Sequence, residues 1–175
     1  MEHRNSAVVT NPRPLGAGME EHLGQLSHEF FHAWNMERLR PRSLEPFDLE
    51  EASAPGELWF AEGVTSYYGA LFLRRAGLID DAVFALGLGY VVDPVVNLPG
   101  RRHGSAVDMS RQAAYVDAAL SVDPQNRQNT FIYYNTWGSA LGLALDLVLR
   151  TRFGASLDAY MRALWRQLGR PEVPY

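Results

Sequence analysis

His28-Glu29-Phe30-Phe31-His32 sets two imidazoles four residues apart with a carboxylate beside them, and Trp59-Phe60-Ala61-Glu62-Gly63 supplies a second carboxylate downstream. On a helix, residues i and i+4 share a face about one turn apart, so His28 and His32 can aim ring nitrogens at one cation. Glu29 projects to the side of that face, where its carboxylate can take a proton from cation-held water without becoming a ligand. Two histidines plus a glutamate form a ligand set of hydrolytic zinc sites, which keep a fourth position for water. The residues therefore predict one Zn2+ per chain, held by His28, His32 and Glu62, with Glu29 as the general base. Two helix-face histidines satisfied by their surroundings would be the plainer account. Unpaired imidazoles beside an apolar stripe, however, carry a desolvation penalty that a cation removes.

The elements that must position these groups are helices. Leu23, Leu26, Phe30 and Ala33 recur at helical spacing, widened by Phe31 and Trp34, which predicts a mostly buried helix over 20–38. Pro41, Pro46, Pro55 and Gly56 punctuate a connection long enough for the chain to turn back. A second helix over 57–76, ending at Gly77, then carries Glu62 alongside the first. Trp59, Phe60, Val64 and Tyr67 surround Glu62, and a carboxylate buried among them needs a partner such as zinc. Thr65 and Ser66, one turn on, are placed to orient it by hydrogen bonds. Elsewhere the pattern predicts a short strand over 7–10, a helix over 80–90, loops with one short helix over 109–119, and a final helix over 156–168. Between 138 and 152 the chain is apolar nearly all round, which predicts a buried helix in which Asp146 and Arg150 neutralise one another.

Composition bounds the remaining possibilities. With 175 residues, 47% of them hydrophobic, the chain can bury a sizeable core as one domain. A net charge of -4 gives no electrostatic footprint for nucleic acid. The lack of cysteine removes disulfides and thiolate metal ligands and leaves the redox compartment open. No run approaches the length of a membrane span, and Met1-Glu2-His3-Arg4-Asn5 does not read as a signal peptide. A soluble chain is expected, cytoplasmic or periplasmic and secreted alike.

Three segments carry a likeness to a known family: Glu2-His3-Arg4-Asn5-Ser6; His28 to Asn35, running on to Arg40-Pro41; and Leu58 to Tyr68. Together they resemble the glycyl aminopeptidases, the sixty-first metallopeptidase family, and the likeness extends through Pro99-Gly100-Arg101-Arg102 and Tyr133-Tyr134 to Leu157-Asp158. It implies a gluzincin fold: mainly α, a zincin (thermolysin-like) catalytic domain built as a helical bundle with a short amino-terminal β segment. It also implies that residues 1–175 form a single domain, the central catalytic part of a longer metallopeptidase. The amino-terminal β domain and PDZ-like domain of such proteins are absent from this chain and become its implied partners, beside the peptide substrate.

The resemblance assigns two further roles. Glu2 falls where related aminopeptidases receive the substrate's free amino group, and a carboxylate there would pair with the ammonium. Gluzincin aminopeptidases place an oxyanion-stabilising tyrosine three residues before a glycine. Here Tyr133-Tyr134-Asn135-Thr136-Trp137-Gly138 puts Asn135 at that spacing and Tyr134 one residue further back. Tyr134 is the favoured donor, with Asn135 as the alternative. The function implied is removal of amino-terminal residues, small ones such as glycine by the family's name. A zinc endopeptidase without amino-terminal capture and a catalytically silent peptide-binding scaffold are the other readings.

Overall fold

A computed structural model describes residues 2–3, 6–45, 50, 53–116, 127–170 and 174–175, with 2, 3 and 128 described by backbone alone. The fold is mainly helical, with a two-stranded antiparallel ribbon at its start: β1 (Glu2–His3) pairs with β2 (Ser6–Ala7), Glu2 opposite Ala7. The strand expected over 7–10 thus begins earlier and reaches only Ala7.

Helix α1 (Met19–His32) carries Glu20 and Glu21 in its first turn, where they complement the positive end of the helix dipole. It stops at His32 instead of running to Arg38. The chain turns back there through Leu39 N–H to Trp34 O (2.8 Å) and Met36 N–H to Leu39 O (2.9 Å). The burial expected for α1 is also too broad. Phe31 and His32 are buried, whereas Leu26 is 53% and Phe30 61% exposed, because helical packing covers only the flank carrying His28 and Phe31. That flank meets a rod of two parts, a π-helical turn (Trp59–Val64) continuing into α2 (Thr65–Arg75). Approach is close at Gly69, where a Cβ would stand 3.3 Å from His28 N. Ser27 Oγ donates to Gly69 O (2.9 Å), and Phe31 stacks on Tyr68 with ring centroids 4.3 Å apart.

Helix α3 (Asp81–Asn97) is capped by Asp80, which accepts from Val83 N–H, and runs on past Tyr90 through Pro94. It packs against the helix formed by Tyr134–Phe153, yet none of its residues is buried. Short helices α4 (Ala106–Arg111) and α5 (Ala113–Val116) stand where one helix over 109–119 is expected; 117–119 lie outside the described residues. Another short helix, α6 (Arg127–Thr130), leads to α7 (Tyr134–Phe153), which begins a turn before the expected start at Gly138. Burial of α7 all round is not what the structure has. Tyr134, Gly138, Ser139, Gly142 and Asp146 form the buried face, while Leu141, Leu145, Leu147 and Val148 are exposed. Gly154, at φ 59°, ends α7 in the left-handed conformation that suits glycine, and Ser156 caps α8 (Leu157–Leu168).

Asp146 fastens three helices together. It accepts from Tyr67 Oη (2.9 Å), Leu157 N–H (2.7 Å) and Arg150 Nε (3.0 Å), so the expected Asp146–Arg150 pair exists within a larger network. Burial pushes the Asp146 carboxyl up, but the hydrogen bonds from Leu157, Arg150 and Tyr67 win and hold it below the usual range. One apolar cluster joins Phe31, Leu39, Phe60, Val64, Tyr67, Tyr68, Leu157 and Met161; a second joins Leu58, Met109, Ala113, Phe131 and Tyr134. Among the described residues, no helix is long and apolar enough to cross a membrane.

Candidate metal centre

His28 and His32 leave α1 one turn apart on the face against the π turn, and Glu62 reaches them from that turn. His28 Nε2 lies 2.9 Å from His32 Nε2, and Glu62 Oε2 lies 3.3 Å and 3.4 Å from the two nitrogens. His32 is almost wholly enclosed, whereas His28 and Glu62 each keep 20% of their side-chain surface open. The open side leaves a route for a ligand and for water.

The second ring nitrogen of each histidine has its own partner. His32 Nδ1 stands 2.9 Å from the backbone oxygen of Asn35, which can only accept, so Nδ1 carries the proton and Nε2 a lone pair. His28 Nδ1 stands 3.3 Å from Ser66 Oγ, whose own proton goes to Glu62 O at 3.0 Å. The serine therefore accepts from His28 Nδ1–H, which places the lone pair of that ring on Nε2. Two lone pairs and a carboxylate oxygen then converge with no proton of their own between them, an arrangement that repels unless a cation joins it. Donor atoms about 2.0–2.1 Å from a tetrahedral zinc stand about 3.3–3.4 Å apart, close to two of the three separations seen here. The residues fit the ion.

Burial raises the Glu62 carboxyl, but hydrogen bonds from His28 and His32 and the charge on both rings outweigh it and draw the pKa down to about 2. Glu29 stands on α1 between the two histidines, half-buried, with Oε2 enclosed and lacking a hydrogen-bond partner among the described residues. A buried, unpaired carboxylate oxygen is a ready proton acceptor.

Close backbone contact sets the position of Glu62. A Cβ on Gly138 would fall 1.7 Å from Trp59 O, and one on Gly63 would fall 2.4 Å from Gly138 Cα, so α7 and the π turn touch where neither carries a side chain. Tyr134 stands one turn before Gly138 on the same face of α7. It is buried in the cluster with Leu58, its hydroxyl 3.5 Å from that of Tyr133. Asn135 Oδ1 is buried without a hydrogen-bond partner among the described residues. Glu2 lies in β1, and its carboxylate is outside what is described.

Three features of the site go beyond the sequence expectations. The Ser66 hydroxyl serves His28 and the Glu62 backbone, not the Glu62 carboxylate, and Thr65 Oγ1 donates to Ala61 O at 2.6 Å. Asn35 enters the site from beyond α1. The segment 59–64 has π geometry where periodicity predicts ordinary helix, and the pair of glycines that meet there, Gly63 and Gly138, is its available signal. An open cavity of about 350 Å³ bounded by Phe31, Trp34, Tyr68, Phe72 and Trp165 shares no residue with the ligand trio.

A crystal structure of an aminopeptidase N family protein from Idiomarina loihiensis superposes over 100% of this chain with a TM-score of 0.86 and 28% sequence identity. This chain spans 31% of that protein's length. Among curated proteins, no sequence matches significantly. The family model of the M61 glycyl aminopeptidases matches residues 21–141, and the chain belongs to that family.

Proposed function

We propose that this chain is the central catalytic part of a longer zinc aminopeptidase, with peptides as substrate and small amino-terminal residues such as glycine as those preferentially removed. The observation that carries the reading is the convergence of His28 Nε2, His32 Nε2 and Glu62 Oε2, all acceptors, with separations of 2.9 to 3.4 Å. A zinc ion held there supplies Lewis-acid chemistry, lowering the pKa of water towards neutrality and polarising the scissile carbonyl.

The protein groups divide the remaining work. Glu29 accepts a proton at Oε2 from the attacking water and returns it to the leaving amine nitrogen. Tyr134, or Asn135 beside it, donates to the oxygen that becomes negative. Glu2 pairs with the substrate ammonium and so restricts cleavage to the amino terminus. Ser66 and the Asn35 carbonyl hold the imidazoles in the tautomer that offers Nε2.

Elemental analysis of the purified protein tests the metal, and hydrolysis of a glycyl anilide tests the reaction. About one zinc per chain, lost in Glu62→Ala, is expected. Glu29→Gln should keep the zinc while turnover falls by about 10²-fold or more. A folded wild type free of zinc, or undiminished turnover in Glu29→Gln, refutes the mechanism.

A further inference from the structure

Resting on that metal reading, we propose that Asn35 is a positioning residue that locks the segment bearing Glu62 against α1 in ligand geometry. Asn35 is 0% exposed. Its backbone oxygen stands 2.9 Å from Nδ1 of His32. Its side-chain nitrogen, with two N–H groups shared among three acceptors, stands 3.1 Å from Phe60 O, 3.1 Å from Ala61 O and 3.0 Å from Thr65 Oγ1. One residue therefore holds one ligand by its outer ring nitrogen and another by the two carbonyls immediately before it.

The orientation of the amide comes from its partners. Both carbonyls only accept, and the Thr65 hydroxyl already donates to Ala61 O, so all three positions call for a donor. The π turn is where these carbonyls meet the inserted amide, a recognised way for a side chain to interrupt the regular helical ladder. The amide thus occupies the same irregularity that sets the direction of Glu62.

Two local costs fall on this residue and its neighbour. Asn35 Oδ1 is buried without a hydrogen-bond partner among the described residues. Met36 has φ 115°, a conformation that side-chain-bearing residues rarely adopt. An orphaned acceptor beside a strained neighbour is the kind of local cost that clusters at functional sites. Both persist because the chain must leave His32 along one path to deliver the amide to the π turn.

The test is zinc affinity, read by competition with a chelating dye, beside the visible spectrum of the cobalt-substituted protein and the melting temperature of the metal-free form. Asn35→Ala should weaken zinc by about 10- to 100-fold and alter the cobalt absorption. Asn35→Asp, which sets an acceptor against three acceptors, should weaken it at least as much. Tyr67→Phe is the control for a buried hydrogen bond lost elsewhere. It removes a 2.9 Å hydrogen bond to Asp146 away from the ligands and should lower the melting temperature while leaving zinc affinity within about twofold. If Asn35→Ala does not fold, Thr65→Val takes its place with an expected loss of about 3- to 10-fold. A folded variant with wild-type affinity and an unchanged cobalt spectrum overturns the proposal, as does a Tyr67→Phe protein that loses zinc equally. A folded wild type that takes up no zinc refutes the metal reading itself, which is a different outcome from a zinc-loaded wild type whose variants match it.

Discussion

Gly138→Ala adds one methyl at the point where α7 meets the π turn. The new carbon would stand 1.7 Å from Trp59 O, 2.6 Å from Trp59 C and 2.9 Å from Gly63 Cα, all backbone atoms with no rotamer to change. Ordinary contact needs about 3.4 Å or more, so the two backbones must part by about 1.7 Å or the helix must deform. Overpacking of this kind costs about 1–3 kcal/mol and sometimes more; with both sides rigid we place it at about 4 kcal/mol. Alanine's better helix propensity recovers only about 1 kcal/mol, leaving a net loss of about 3 kcal/mol. In a chain of this size that lowers the melting temperature by about 6–12 °C. Because Gly63 is joined directly to Glu62, the same displacement moves a ligand, and zinc affinity should fall along with stability. Gly142→Ala, one turn on in the same helix, is the matched control. Its Cβ would meet Tyr67 Cβ at 3.5 Å, ordinary contact, so the substitution should be neutral or stabilise by up to about 1 kcal/mol. Thermal unfolding monitored by circular dichroism, with zinc titration of each protein, decides the matter. Equal stability of the two alanine variants would refute the reasoning.

Three further outcomes are expected. In the metal-free protein, the Glu62 carboxyl lies at about 2 against an ordinary 4.5, so its contribution is complete above pH 4.5 and is lost as pH falls towards 2. It amounts to at most about 3 kcal/mol; Glu62→Gln should flatten that limb of an acid titration, and an unchanged acid midpoint contradicts it. Tyr134→Phe should lower kcat by about 10²–10³-fold with little change in KM, while Asn135→Ala should not. The reverse pattern in steady-state kinetics assigns the oxyanion to Asn135. Asp146→Ala strands the Tyr67 hydroxyl and Leu157 N–H in the interior. It should cost about 3–5 kcal/mol in urea unfolding, and a loss below about 1 kcal/mol would show that the network does not carry the α2–α7–α8 junction.

The grouping of His28, His32 and Glu62 is legible from sequence because the His28–His32 spacing matches a helical turn and Glu62 sits in a second helical pattern. The helices themselves are legible for the same reason, since apolar periodicity survives small errors in their ends. What periodicity does not convey is which apolar residues find a neighbour. Phe30 and Leu26 extend the stripe of α1 but face outwards, and Leu145 and Val148 do the same on α7, because each helix is covered along a narrower face than its composition allows. The pattern overruns the end of α1 since Ala33, Trp34 and Asn35 carry no breaker; the chain departs because tertiary hydrogen bonds to Asn35 outweigh helix continuation. Pro94 reads as a boundary in the sequence, yet α3 runs through it to Asn97 before ending.

The π turn at 59–64 has a consequence for phase. A π turn carries more residues per revolution than an α-helix, so relative to a regular rod it adds one residue of offset between the segments on its two sides. Glu62 lies inside that offset, while Ser66 and Gly69, which meet His28, lie in the regular helix beyond it. Refolding 59–64 as a regular α-helix with every residue kept would turn the segments on its two sides against each other by about 100°. The face that packs on α1 would keep its sequence, yet the carboxylate would leave the histidines. The π turn is thus what lets one continuous rod bring Glu62 to the histidines of α1 while Ser66 and Gly69 meet the same helix.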